Sequence, residues 1–224
     1  MRVAVLIPCR PDGGRRDELL RWTTGRLAAL HPGYQIAVGH HHADEGPFNR
    51  SAALNRAAEQ AAGADVYVVS DGDSFVAADQ LERAALTAAC TGLPTWAFDR
   101  FCYLDRPTTD ALLAGAPEDP TTFANEFTLK RTVSSMLAIP ADLWAAIGGA
   151  DEGFVGWGGE DVALAIALTT VGRGEGRLPG DVWHLWHPPA PHIADDVFPA
   201  RLARYEAAKG DRDTMLALLD GLRA

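Results

Sequence analysis

Cysteine is scarce. Cys9, Cys90 and Cys102 are odd in number and show no CxxC spacing, which excludes a disulfide framework and argues against a thiolate zinc site. Long apolar runs are missing too. The longest early one, Val3 to Ile7, is too short for a signal-peptide core or a bilayer span, and charged residues, Gly or Pro interrupt every later stretch. Positive charge is in deficit: 20 Lys and Arg face 30 Asp and Glu, for a net charge of −10 and a pI near 5.1. Broad binding of a phosphate backbone needs a basic face, so nucleic acid is not an expected partner, although a local basic pocket for one phosphorylated ligand stays open. There is no internal repeat, heptad array or low-complexity tract. The expectation is a soluble cytoplasmic protein.

What is present suits one sizeable core. The 224 residues are 47% apolar and 22% charged, an ordinary globular balance. Val3 to Ile7, closed by Pro8, has the pattern of a strand buried on both faces. Asp17 to Leu30 carries leucines at helical spacing, and Tyr34 to Val38 is a second strand. Asn49 to Ala62 is an alanine-rich helix with a capping Asn and a closing Gly63, and Val66 to Val69 a third strand. This β-α-β-α-β alternation predicts an α/β fold with a mainly parallel sheet flanked by helices. Ligands in such sheets bind beyond the carboxyl ends of the strands. Cys9-Arg10, the His40 to Asp44 stretch and Asp71-Gly72-Asp73 should therefore share one edge.

Further along, Asp79 to Ala89 predicts a helix, Thr95 to Tyr103 a strand, and Arg106 to Thr122 a mobile Pro/Thr-rich insertion. Val133 to Ile139 predicts a strand, and Pro140 opens a short helix closed by Gly148-Gly149. A Gly/Trp-rich turn, Gly153 to Gly159, leads into a helix from Glu160 to about Val171. Val182 to Leu185 predicts a last strand, and Phe198 to Arg223 one or two helices broken at Gly210. The division expected is a first half over 1–105, a second over 106–190, and a helical extension over 191–224.

Three stretches carry chemistry. Asp71 and Asp73 flank a glycine directly after a buried strand, so both carboxylates can converge on one divalent cation; the same triplet is also the commonest composition of a solvated turn. His184 and His187 can reach a metal held by those carboxylates, or can be hydrogen-bonded members of an aromatic cluster. Mixed Asp and His ligation suits Mn²⁺ better than Ca²⁺ or Mg²⁺. In Gly156-Trp157-Gly158-Gly159-Glu160-Asp161, the glycines allow close approach to a ligand and the Trp offers a flat face to a sugar. Glu160 and Asp161 open a helix whose dipole favours their charged forms, and an ionised carboxylate beside a hydroxyl is a general base. His40-His41-His42 reads as a solvated loop, Trp22, Trp96 and Trp144 as core, and Cys9 as a packing residue.

Phe48-Asn49-Arg50-Ser51-Ala52-Ala53-Leu54-Asn55 resembles the FNR-x-x-x-LN block of the β-galactosyltransferases that use UDP-galactose. Ile7-Pro8-Cys9-Arg10, with Arg15 and Arg16 following, looks like their P-x-R-x-R segment, stretched here by Pro11 to Gly14. Asp71 to Asp73 corresponds to their DxD motif, Gly156 to Asp161 to their GWGGED, and Trp183 to His187 to their later metal-binding segment. The resemblance runs from Met1 to about Pro188. It implies a GT-A fold, with a nucleotide-sugar half over 1–105 and an acceptor and catalytic half over 106–190, and a metal-dependent transfer from a nucleoside diphosphate sugar, UDP-linked, to a hydroxyl on a glycan, protein or small molecule. Pro8, Arg10, Phe48, Arg50, Asn55, Asp71, Gly72, Trp157, Gly158 and Gly159 would bind the nucleotide sugar. Asp73, His184 and His187, with Asp71 as a further candidate, would ligate Mn²⁺ or Mg²⁺. Glu160 would contact the sugars and Asp161 would be the base. The related polypeptide N-acetylgalactosaminyltransferases carry WGGEN and retain configuration; Asp161 in place of that Asn implies inversion. The departures from the family's pattern are the expected lack of its membrane anchor and stem, and Val162 in place of its third acidic residue. Sugar-phosphate nucleotidyl transfer, which would not predict GWGGED, and non-catalytic binding of a sugar nucleotide or glycan, which Asp161→Asn would separate from an enzyme, are the competing readings.

Overall fold

The computed structural model describes residues 1–156, 158–189 and 197–223. In chain order it consists of β1 (Val3–Cys9), α1 (Arg15–Leu30), β2 (Gln35–His40), α2 (Arg50–Gln60), β3 (Val66–Val69), β4 (Ser74–Val76) and α3 (Ala78–Thr91). Then follow β5 (Thr95–Trp96), β6 (Arg100–Leu104), α4 (Arg106–Leu113), β7 (Asn125–Lys130), β8 (Leu137–Pro140) and α5 (Ala141–Ile147). The chain closes with α6 (Glu160–Gly172), β9 (Gly176–Arg177), β10 (Asp181–His184), α7 (Val197–Ala208) and α8 (Arg212–Arg223). No helix among the described residues is long and apolar enough to cross a membrane.

The strands form two sheets, ordered β2-β1-β3-β8-β5-β9 and β4-β10-β6-β7. In the first, β1 runs parallel to β2 and β3, and β5 parallel to β9, while β8 is antiparallel to both of its neighbours. Val3 to Ile7 and Val66 to Val69 are buried throughout, the reason their sequences are unbroken apolar runs. α2 lies over β1 and β2 on small side chains. It sits so close that a Cβ on Gly39 would fall 1.8 Å from the Ala53 carbonyl oxygen. The parallel register brings Cys9 opposite His40, and the Ser70 amide donates to the Leu6 carbonyl at 3.0 Å. The three loops expected at one edge do share it.

Several expectations need correction. Thr95 to Tyr103 is two strands: β5 belongs to the first sheet and β6 to the second, and the chain changes sheet at buried Ala97 and Phe98. The Arg106 to Thr122 stretch contains a helix, α4, because Asp105 caps it by accepting from the Thr108 amide, and a proline in the first turn does not interrupt it. α4 buries Thr109 and Leu112, the latter in a small second core with Leu19, Phe75, Trp183 and Leu185. Of Val133 to Ile139 only the end is strand. The preceding turn holds Arg131, Ser135 and Met136 at φ of 54°, 59° and 45°, left-handed positions unusual for non-glycine residues. β4, β7 and β9 are strands with no sequence expectation behind them. Trp96 and Trp144 are buried, and half-buried Trp22 packs edge-on against Phe75.

Candidate active site

The strand pairing of the second sheet assembles a cluster of metal-binding side chains. β10 runs antiparallel to β4 with His184 opposite Ser74, the residue after Asp73, and the Leu185 amide donates to the Asp73 carbonyl at 2.8 Å. Buried Leu185 then turns the chain so that His187 returns to the same carboxylate. The result is His184 Nε2 at 3.5 Å from Asp73 Oδ1 and His187 Nε2 at 3.1 Å from Asp73 Oδ2. α4 contributes support, since the Trp186 amide donates to Thr109 Oγ1 at 2.8 Å.

Ligand atoms from Asp73, His184 and His187 all lie within 4.8 Å of one another. One carboxylate and two imidazoles at this spacing fit a divalent transition ion such as Mn²⁺. Burial pushes the Asp73 carboxyl up, but the two imidazoles beside it hold it well below the usual carboxylate range. Burial pushes His184 down, which keeps its ring neutral. For His187 burial acts the same way, but the hydrogen bond and charge of Asp73 outweigh it and raise the ring.

Asp71 is not brought into this group. Its Oδ1 accepts from Arg50 Nη2 at 2.7 Å, and the other arm of the guanidinium, Nη1, donates to Asp161 Oδ1 at 2.5 Å. Arg50 is 11% exposed and spans from the end of β3 to the start of α6. Burial disfavours its charge, but Asp161 and Asp71 more than compensate and keep it protonated. Burial pushes Asp161 up to about 7, with Glu160 and Asp71 adding to the rise and Arg50 opposing it. A carboxylate poised there can exchange a proton near neutrality.

The motif blocks meet through their backbones. The Gly156 amide donates to the Phe48 carbonyl at 2.9 Å. Asn49 caps α2 by accepting from the Ala52 amide and donates to the Glu152 carbonyl at 2.7 Å. Asn55, expected at the nucleotide, instead spends its amide on this loop, bonding Ala150 and Glu152. Glu160 accepts from the Gly158 amide at 3.1 Å. Gly159, at φ 82°, supports the ring of Phe198 from α7, which would lie 1.7 Å from a Cβ there. α7 is fastened in turn by a bidentate Arg201–Asp151 pair at 2.6 and 2.7 Å and by Tyr205 Oη donating to Asp151 at 2.8 Å. Burial pushes Asp151 up, but Arg201, the Gly153 amide and Tyr205 hold it low. Trp157 lies outside the described residues.

Beside the Asp73, His184 and His187 group a pocket of about 540 Å³ opens between Pro8, Arg10, Arg16, Phe48, Gly72 and Asp73. A depression of about 660 Å³ near Thr169, Arg173 and Arg212 is wider but gathers none of the expected residues. Cys9, half-buried on the pocket wall, is pushed up to about 11 by burial, with Asp17 and Asp12 adding, and stays an unreactive thiol. His40 and His42 stack at 5.7 Å while His41 meets the edge of Phe48, and the triad belongs to no metal-binding group among the described residues.

Sequence reasoning missed two contributors. Ser135 is 1% exposed, and its hydroxyl accepts from the Asp71 amide at 3.0 Å, tying the strained turn before β8 to the acidic loop. Tyr103 lies 4.8 Å from His184 and stacks at 4.1 Å on exposed Phe127. The first has no sequence signal, because a left-handed serine resembles any other. The second is visible only once β6 and β7 are paired.

No protein-family model matches the sequence, and no curated protein matches it. Solved structures do. The catalytic domain of Drosophila beta1,4-galactosyltransferase 7 in complex with xylobiose matches at a TM-score of 0.57 and 17% identity, over 87% of this chain and 76% of that one. The fold is GT-A. A variant of the same enzyme with manganese, UDP-Gal and xylobiose gives 0.54 at 17% identity, over 88% and 77% of the two chains. The GT-A scaffold recurs in S. aureus TarS, at 0.58 and 13% identity over all of this chain and 42% of that one. GalNAc-T7 with UDP, GalNAc and Mn²⁺ gives 0.53 at 11% identity, over 92% and 48%. On this GT-A scaffold, Asp73, His184 and His187 stand where the end of β10 meets the start of β4.

Proposed function

We propose that the protein is a metal-dependent glycosyltransferase that moves a sugar from a UDP-sugar to an acceptor hydroxyl with inversion. The observation that carries this reading is the pairing of two centres. The Asp73, His184 and His187 group adjoins an open pocket, and the Arg50-held Asp161 carboxylate stands at the N-terminus of α6. The complexes of GT-A relatives with UDP, UDP-Gal and manganese support the donor and the ion. The acceptor hydroxyl belongs to a glycan, a protein or a small molecule.

A divalent cation on Asp73, His184 and His187 supplies charge neutralisation for a departing diphosphate. This chain's residues do the rest. Phe48 offers a ring to the nucleotide on the pocket wall, and the Pro8 to Arg10 segment lines the same wall. Asp161 accepts the proton of the acceptor hydroxyl as its oxygen bonds to the anomeric carbon from the face opposite the diphosphate, whose bond to that carbon breaks. Arg50 holds that carboxylate in place and limits how far its basicity rises. Glu160, bonded to the Gly158 amide, shapes the loop around the sugars.

The experiment is a diphosphate-release screen over UDP-, GDP- and TDP-sugars, with and without Mn²⁺, on wild type and Asp161→Asn. The expected result is Mn²⁺-dependent release from a UDP-sugar that Asp161→Asn slows by about 10²- to 10⁴-fold, the range of a general base. Equal rates for the two proteins would remove Asp161 as the base. Release from none of the donors would favour a binding module.

A further inference from the structure

β7 is the outermost strand of the second sheet, and no strand among the described residues pairs with its far edge. All six of its residues are exposed, with Phe127 at 49% and Leu129 at 43%. An open edge of this kind is a template for pairing with another chain.

The pairing with β6 decides which backbone groups face outward. The Arg131 amide donates to the Asp99 carbonyl at 3.0 Å, one step beyond the Arg100–Lys130 pair. Hydrogen-bonded and non-bonded pairs alternate along an antiparallel ladder, so Leu129 and Phe127 also bond inward. The N–H and C=O groups of Thr128 and Lys130 therefore point out. The one shift in register falls between Tyr103 and Leu104, at the opposite end of the strand. Charge on this edge is left over as well. Neighbouring Arg100 and Arg131 are paired, with Asp181 and Glu175, whereas Glu126 and Lys130 have no partner among the described residues.

We propose that β7 is the contact of a homodimer, two copies pairing antiparallel about a two-fold axis at Thr128. Outward-facing groups must meet outward-facing groups, which leaves only a few centres in phase. Centring on Glu126 or Lys130 sets like charges face to face, and centring on Phe127 or Leu129 leaves both charges unmatched. Centring on Thr128 sets Glu126 of each copy opposite Lys130 of the other, and Phe127 opposite Leu129. Every contact then occurs twice, as a two-fold requires. A lysine on an edge ordinarily deters pairing; opposite Glu126 it selects the partner instead. The axis runs normal to the sheet, so the two second sheets merge into one with matching faces. Leu129 of the second copy covers Phe127, whose ring stacks on Tyr103 at 4.1 Å, and Tyr103 lies 4.8 Å from His184. Each Asp73, His184 and His187 group thus acquires a rim built from both copies. The charge of −10 on each chain opposes association at low salt and is screened at physiological ionic strength, where fields decay over about 8 Å. The pairing is independent of the catalytic reading.

The test is sedimentation equilibrium of the full chain at physiological ionic strength and rising concentration, for wild type, Glu126→Lys, Lys130→Glu and Thr128→Pro. Wild type is expected to move from 23.9 kDa toward twice that mass. Each charge variant alone sets like charges together at two symmetric positions and should associate roughly 10-fold more weakly or worse. Mixed in equal amounts, the two variants again meet with opposite charges at both positions, and association should recover. Thr128→Pro removes an outward N–H without removing a bond to β6, and should stay monomeric alone or mixed. In wild type, hydrogen exchange at the Thr128 and Lys130 amides should slow with concentration, while the inward Leu129 amide is protected throughout. A wild type of 23.9 kDa at every concentration overturns the proposal. So do charge variants that associate as tightly as wild type, or a mixture no tighter than either variant alone.

Discussion

Replacing Arg50 with methionine removes the one cation that opposes the rise of the Asp161 carboxyl while keeping similar bulk. An opposite charge in contact holds a carboxyl down by about 1–3 pKa units, so the group at about 7 in wild type should move to about 8–10. On the proposed mechanism the base works ionised, so turnover rises with pH through this group, and raising it carries the acid limb to higher pH. At pH 7 the ionised fraction falls from about one half to between about one in ten and one in a thousand, a loss of about 5- to 500-fold. The assay is kcat against pH from 6 to 10 at saturating donor and Mn²⁺, for both proteins. Arg50→Met should approach wild type at the alkaline end, because deprotonation restores the base. Mn²⁺ affinity serves as the control, since Asp73, His184 and His187 make no hydrogen bond to Arg50. An acid limb that stays in place, with the deficit confined to KM for the donor at every pH, would refute this reasoning and make Arg50 a phosphate ligand instead.

Two further outcomes concern stability, read by chemical denaturation. Ser135→Ala leaves the half-buried Asp71 amide without its acceptor, a loss of about 1 kcal/mol. Ser135→Gly loses the same bond but relieves a left-handed conformation costing about 1–3 kcal/mol. Glycine should therefore be the milder substitution, and a glycine variant less stable than the alanine one would count against strain at this turn. Asp151→Asn breaks the latch on α7 and leaves Arg201 without its counter-charge, for about 3 kcal/mol at pH 7, the low end for buried pairs because Arg201 keeps some water contact. Because the folded-state carboxyl is held below its unfolded value, that stability is fully present above about pH 4 and shrinks as pH falls toward the folded-state value, so the gap between the two proteins should narrow steadily from about pH 5 to about pH 3. A gap that does not narrow over that range would mean that charge pairing is not its source.

The parts of this fold legible in the sequence are those whose local signal and tertiary environment agree. Val3 to Ile7 and Val66 to Val69 are unbroken apolar runs because both of their faces are covered. Asn49 at the start of α2 and Gly210 between α7 and α8 do in the structure what capping and breaking residues do anywhere. β4 is only three residues long, below the length at which a period can be recognised, yet it is the strand that sets His184 beside Asp73. β7 is exposed along its whole length and so carries no burial pattern. α4 hides in a stretch rich in Pro and Thr, where composition suggests mobility and the Asp105 cap decides otherwise. At the site, the motif spacing identified the acidic loop, the histidine pair and the start of α6. It did not divide the labour between Asp71 and Asp73. That division depends on Arg50, which lies 21 residues from one of its partners and 111 from the other, and no local pattern encodes a pairing at that range.

Because one guanidinium grips two carboxylates from distant parts of the chain, the span between the strand tip at Asp71 and the helix start at Asp161 is set by a single rigid planar group. On the proposed mechanism the base is therefore aligned before any substrate arrives, and binding is left to exclude water.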